Sequence, residues 1–120
     1  MVYTEIDNLS RDTVTPLAGE VQRLIQEIER LTIAADKEDS KSKEKQMREE
    51  IVALKKKQRS LSGAISVARE DAFKAALAEE YGVKGNPRFE KCYSLAYSFG
   101  HSSGFSEVEN YFSELVDLIK

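Results

Sequence analysis

The sequence predicts an all-α protein, an antiparallel coiled-coil helical hairpin followed by a short C-terminal αα-hairpin. Two heptad-spaced apolar seams flank a stretch with no apolar side chain. Helix breakers are scarce in the first 80 residues: the chain has two Pro and six Gly, and most of the Gly lie beyond that point. No segment of useful length alternates with the period of two expected of a half-buried strand.

Residues 4–12 read as a short leading helix. Thr4 fits its N-cap with Asp7 three residues on, and Ile6 and Leu9 give a small apolar face. A stronger start stands at Thr15-Pro16, where Thr caps and Pro occupies the first helical position, which needs no N–H partner. From there Leu17, Val21, Leu24, Ile28, Leu31 and Ala35 recur at steps of 4, 3, 4, 3 and 4. Ile25 and Ile33 lie off this seam and are expected to widen the apolar face.

Residues 36–46 can bury no face. They form either a solvated turn or a bare continuation of helix. A second seam follows through Met47, Ile51, Leu54, Gln58, Leu61, Ile65, Ala68 and Ala72. Its helix should run to Tyr81, with Gly82 as a left-handed cap. Gly63 inside it costs roughly 1 kcal/mol relative to Ala and marks either a break or a close packing point. Gln58 is a polar residue in the stripe, suited to setting register.

Folding near Lys41 pairs Leu17 with Ile65, Val21 with Leu61, Leu24 with Gln58, Ile28 with Leu54 and Leu31 with Ile51. The residue numbers of each pair add to 82. Charge agrees, with Glu27 expected near Lys57. Residues 1–40 hold 4 basic and 9 acidic side chains, and residues 41–59 hold 8 and 3. Exposed ion pairs contribute only about 0.2–1 kcal/mol each, so their use lies in selecting register and orientation. The rival is one continuous helix forming a parallel dimer, which β-branched Val21 and Ile28 with Leu at the alternate positions also suit.

Asn86-Pro87, read as a cap residue followed by Pro, opens the tail. Phe89, Cys92, Ala96 and Phe99 form a helical face that ends at Gly100. Ser106 with Glu109 has capping-box spacing, and Val108, Tyr111, Phe112, Leu115, Leu118 and Ile119 mark an amphipathic last helix. The expected division is 1–83, the leading helix and hairpin, and 84–120, a two-helix tail packed on it.

The residues argue against most chemistry. One His and one Cys cannot make a zinc site in a single subunit without two carboxylates, so no cofactor or metal is expected. Cys92 and His101 could pair as nucleophile and base, but Cys92 shares an apolar face with Phe89 and Ala96, where a small buried hydrophobe is its usual role. No Gly-rich phosphate loop is present. The expectation is a protein that is not an enzyme.

One Cys leaves no intrachain disulfide, the N-terminus has no signal-peptide pattern, and no apolar run is long enough to span a bilayer. A cytoplasmic location without membrane contact is expected. For nucleic acid the best candidate is Lys55, Lys56, Lys57 and Arg59. These cations spread around a helix, partly face the acidic arm and lack interleaved aromatics, so nucleic acid ranks below protein as a partner. Tyr93, Tyr97, Phe105 and Tyr111, with His101 beside them, are the candidate protein-contact residues, because Tyr buries large area and keeps a polar handle. Phe89, Phe99 and Phe112 are assigned to the tail's own core.

The stretch Lys91-Cys92-Tyr93-Ser94-Leu95-Ala96-Tyr97-Ser98-Phe99-Gly100-His101-Ser102-Ser103-Gly104-Phe105, continuing to Leu118, resembles the C-terminal segment of small uncharacterised accessory proteins of tailed phages and prophages. It covers about a third of the chain. The resemblance implies a modulator or inhibitor acting on a host component in the host cytoplasm, and carries over no catalytic residue. The functional expectation is a non-enzymatic protein-binding module. Its alternatives are a nucleic-acid-associated protein using residues 41–59, or a homo-oligomeric scaffold or assembly chaperone.

Overall fold

The computed structural model describes residues 2–120. A 3-10 turn at Val2–Glu5 leads into α1, Ile6–Lys37, and α2 covers Lys41–Glu80. Two shorter helices follow, α3 at Phe89–Gly100 and α4 at Phe105–Leu115, with 3-10 turns at His101–Ser103 and Val116–Leu118. Among the described residues there is no strand. The long helices pack antiparallel and the short pair follows, as the seams imply.

The chain turns at residues 38–40, within the stretch that has no apolar side chain. Ser40 starts α2: its carbonyl accepts the Glu44 N–H at 2.9 Å and its hydroxyl the Lys43 N–H at 3.5 Å. The continuous-helix alternative is therefore not the structure. Glu20 pairs with Lys57, and Asp36 with Arg48. Their residue numbers add to 77 and 84, on either side of the 82 that the seams require. Glu27 was expected near Lys57 but pairs with Arg30 one turn along its own helix.

Leu24, Leu31, Ala35 and Ile51 are buried on the seams, while Leu17, Val21, Ile28, Leu54, Gln58, Leu61 and Ile65 are half-buried. Two helices alone cannot enclose every seam position. Ile25 and Ile33 are exposed and do not widen the buried face as expected.

Two local expectations at α1 and α2 are corrected. α1 does not begin at Thr15-Pro16. It runs through Pro16 and absorbs the leading helix. Ile6 and Ser10 are buried and Val14 half-buried, so the apolar stripe extends back past the proline and packing holds the helix together. α2 passes through Gly63 without a break, and no atom lies within 4 Å of where a Cβ would stand there. Gly63 marks neither a break nor a close approach.

The structure forms two compact units, residues 2–10 with Arg69–Lys120, and Arg11–Ala68. The divisions fall inside the long helices, and residue 83 lies within the first unit. Val83 explains this: it is buried in one cluster with Ile6, Phe73, Leu77, Val108 and Phe112. The C-terminus of α2 closes with the two bonds of a Schellman motif, Val83 N–H to the Ala78 carbonyl at 2.8 Å and Gly82 N–H to the Glu79 carbonyl at 3.2 Å. Gly82 takes φ 70°, as this cap requires.

Asn86-Pro87 forms a turn rather than the cap itself. The Asn86 side-chain oxygen accepts the Arg88 N–H at 2.8 Å and its amide donates to the Ile119 carbonyl at 2.8 Å, tying the start of α3 to the chain beyond α4. The Ser106–Glu109 capping box does not form, because α4 already starts at Phe105. Glu109 is buried and caps a different element. Its carboxylate accepts the N–H groups of Val2 at 3.2 Å and Tyr3 at 3.3 Å, and the Tyr81 hydroxyl at 3.3 Å. The N-terminus of the first helical turn thus meets a negative charge supplied by α4.

Candidate protein-binding surface

α3 and α4 run antiparallel in close contact. A Cβ at Gly100 would stand 2.7 Å from the Val108 nitrogen and 2.8 Å from the Glu107 carbonyl carbon, so only Gly lets the two backbones approach this far. Farther along, the Phe99 and Tyr111 rings lie 5.6 Å apart. The inner faces of the pair are core: Cys92, Tyr93 and Ala96 from α3, and Val108 and Phe112 from α4.

Each helix also carries apolar residues on a second, outward side. Leu95 is 48% exposed, Phe99 61% and Leu118 75%. At helical spacing Leu95 and Phe99 follow Arg88 and Lys91 along one side of α3, while Tyr111 and Leu115 follow Glu107 on the adjoining side of α4, with Leu118 in the 3-10 turn beyond it. Between the helices lies a groove of about 450 Å³ lined by Arg88, Lys91, Cys92, Leu95, Leu115, Leu118 and Ile119. An apolar strip with charge at its margins is the composition of a protein-contact surface.

The sequence-predicted residues divide into separate groups. Tyr93 is not at the surface. It is 4% exposed, its ring stands edge-on to Phe73, and the Lys74 ammonium lies 5.1 Å from its centroid. Burial, with the charge of Glu70 nearby, pushes its phenol far above the usual range, and its hydroxyl has no hydrogen-bond partner among the described residues. Phe105 is half-buried against Phe73 at 4.6 Å. Tyr111 is half-buried and belongs to the outward strip.

Tyr97 and His101 are exposed and stacked at 5.0 Å, continuing the ladder Phe89, Tyr93, Tyr97 along another side of α3. The Nδ1–H of His101 donates to the Tyr97 carbonyl at 2.9 Å. Cys92 is buried, and burial raises its thiol. Nine residues of helical rise set it roughly 13 Å from His101 along the axis, so the two do not form a nucleophile–base pair. Lys55, Lys56 and Arg59 are exposed on α2 in the other compact unit, and Lys57 is engaged by Glu20.

Phe99 is the correction in the opposite sense: assigned to the core, it stands at the surface. Leu95, Arg88 and Lys91 carry no assigned role in the sequence reading, and Leu118 only a place on the apolar side of the last helix. The available signal was that α3 is apolar on more than one side, whereas a helix with a single buried stripe needs only one.

Among the described residues no helix is long and apolar enough to cross a membrane, and no group of three or more His, Cys, Asp or Glu is placed to hold a metal ion. No curated protein and no solved structure matches the chain. A family model does match, over residues 7–120, and the chain belongs to that family, DUF8546, a family of unknown function.

Proposed function

We propose that the chain is a non-enzymatic protein-binding module whose docking surface is the outward face of α3 and α4. The observation that supports this is the exposure of Leu95 and Leu118 on one groove, with exposed Phe99 one turn beyond Leu95 on the same side of α3. Covering such side chains contributes about 25 cal/mol per Å² of apolar area removed from water, and a soluble protein gains nothing from leaving them together in solvent. The likeness of residues 91–118 to tailed-phage accessory proteins points to a host protein as the partner.

The test compares capture of proteins from a bacterial lysate by the intact chain and by Leu95→Asp/Phe99→Ser, both checked by circular dichroism. A species held by the first and released by the second is the expected result. Equal capture by both would refute the assignment of the face. Hydrolytic turnover lost on Cys92→Ala would refute the non-enzymatic reading.

The nucleic-acid alternative rests on Lys55, Lys56 and Arg59, which are exposed and outside every ion pair among the described residues. It requires salt-dependent binding of duplex or single-stranded DNA that disappears when these three and Lys57 are replaced by Gln.

A further inference from the structure

We propose that in the free protein the outward face of α3 and α4 is covered by a second copy of the chain, packed about a two-fold axis. This rests on reading that face as a docking surface, and it names the occupant from the distribution of charge. The middle of the face is apolar apart from Glu114 on α4. Its cations, Arg88 and Lys91, stand at the N-terminal end of α3. Glu107 stands at the start of α4, which is the other end of the face because the helices are antiparallel, and Glu114 lies near the middle.

Leu95 and Leu115 stand across from each other at one end of the groove, near the middle of the whole face between Arg88 and Glu107. By helical rise, Arg88 lies about 10 Å from the level of Leu95, and Glu107 about 12 Å from the level of Leu115 in the opposite direction. A two-fold axis through that level, oblique to both helices, therefore carries the cations of one copy onto Glu107 of the other while the apolar centres meet. That is the self-complementarity of an isologous interface.

The charges are available for this. Among the described residues Arg88, Lys91, Glu107 and Glu114 take part in no ion pair, and Glu107 accepts only a long hydrogen bond, 3.4 Å, from Asn110. An unrelated acidic helix would satisfy the cationic end and leave Glu107 unopposed. The second copy satisfies both ends.

Helices of 12 and 11 residues offer less than the roughly 800 Å² per partner of tight complexes. The dimer is therefore weak, and an external partner can displace it from the same face.

Sedimentation equilibrium of the full chain, from ~10 µM to ~1 mM to span the weak range of small interfaces, tests this. The expected result is a monomer–dimer equilibrium. Arg88→Glu and Glu107→Arg each weaken it at least about tenfold, the loss of one well-placed charge pair, and the double variant recovers most of the loss. Leu118→Asp, at a side chain too exposed to disturb folding, abolishes the dimer. A monomer at every concentration, no recovery in the double variant, or a dimer that survives Leu118→Asp would overturn the proposal. If the dimer fails while lysate capture is still lost in Leu95→Asp/Phe99→Ser, the docking face stands and only its second-copy occupant falls.

Discussion

Gly100→Ala is expected to destabilise the protein by about 2 kcal/mol, although alanine is the better helix former. The new methyl would meet backbone atoms at 2.7 Å, 2.8 Å and 3.0 Å, from Val108 and Glu107. None can swing aside as a side-chain tip would. Restoring ordinary contact near 3.4 Å requires α4 to move off α3 by about 0.7 Å, and overpacking of this kind costs typically 1–3 kcal/mol. Gly63→Ala supplies the control. It sits mid-helix with nothing within 4 Å of the added carbon, so only the helix-propensity gain of about 0.5–1 kcal/mol remains. Equilibrium urea unfolding followed by circular dichroism should show midpoints moving in opposite directions, down for Gly100→Ala and up for Gly63→Ala. If Gly100→Ala proved neutral or stabilising, the close approach of α3 and α4, and with it the groove built on that approach, would be wrong. The substitution should also weaken any binding at the outward face, since it moves Tyr111 and Leu115 relative to Leu95.

Glu109→Ala removes the acceptor for two backbone N–H groups and the Tyr81 hydroxyl, and should cost about 2–3 kcal/mol in thermal or urea unfolding; Glu109→Gln, which keeps one oxygen, should cost less. Pro16→Ala restores a donor inside α1 and should raise stability by up to about 3 kcal/mol, read as a shift of the unfolding midpoint. Tyr81 and Tyr93 both have phenols raised above the ordinary 10.0, mainly by burial. Each is harder to ionise folded than unfolded, so their contribution to stability is intact below about pH 10 and is lost as pH rises through the raised folded values. An absorbance titration at alkaline pH should show part of the five-tyrosine signal ionising late, with unfolding, and a signal that titrates as a single group of free phenols would contradict the burial of both. Tyr93→Phe deletes a buried hydroxyl that has no partner among the described residues, and should leave stability unchanged or raise it by about 1 kcal/mol.

Much of the hairpin was legible because its signals are local and repeated. Seam residues such as Leu24, Leu31 and Ile51 recur every three or four positions, the polar stretch around Ser40 can only be solvated, and the arms carry opposite charge. The site was less legible. Of the residues first favoured, Tyr111 does lie on the outward strip, whereas Tyr93 is core and Tyr97 and His101 stack on a different side of α3. A ring's identity says it can bury area; it does not say on which side of a doubly apolar helix the neighbours will stand.

By itself, then, the sequence determined an all-helical chain and favoured two antiparallel arms turning near Lys41 over one continuous helix, a choice that the turn at residues 38–40 then decided. Those follow from periodicity and charge sign along one strand of chain. The tertiary structure alone decided that α1 passes through Pro16, that Glu109 caps the N-terminal turn from a distant helix, and that Gly100 sets the spacing of α3 and α4. It also decided that Leu95, Phe99 and Leu118 remain uncovered. The physical reason is common to all four. Propensity and capping contribute about 1–3 kcal/mol locally, while packing sums over every neighbour that the fold brings near, and those neighbours lie far away in the chain.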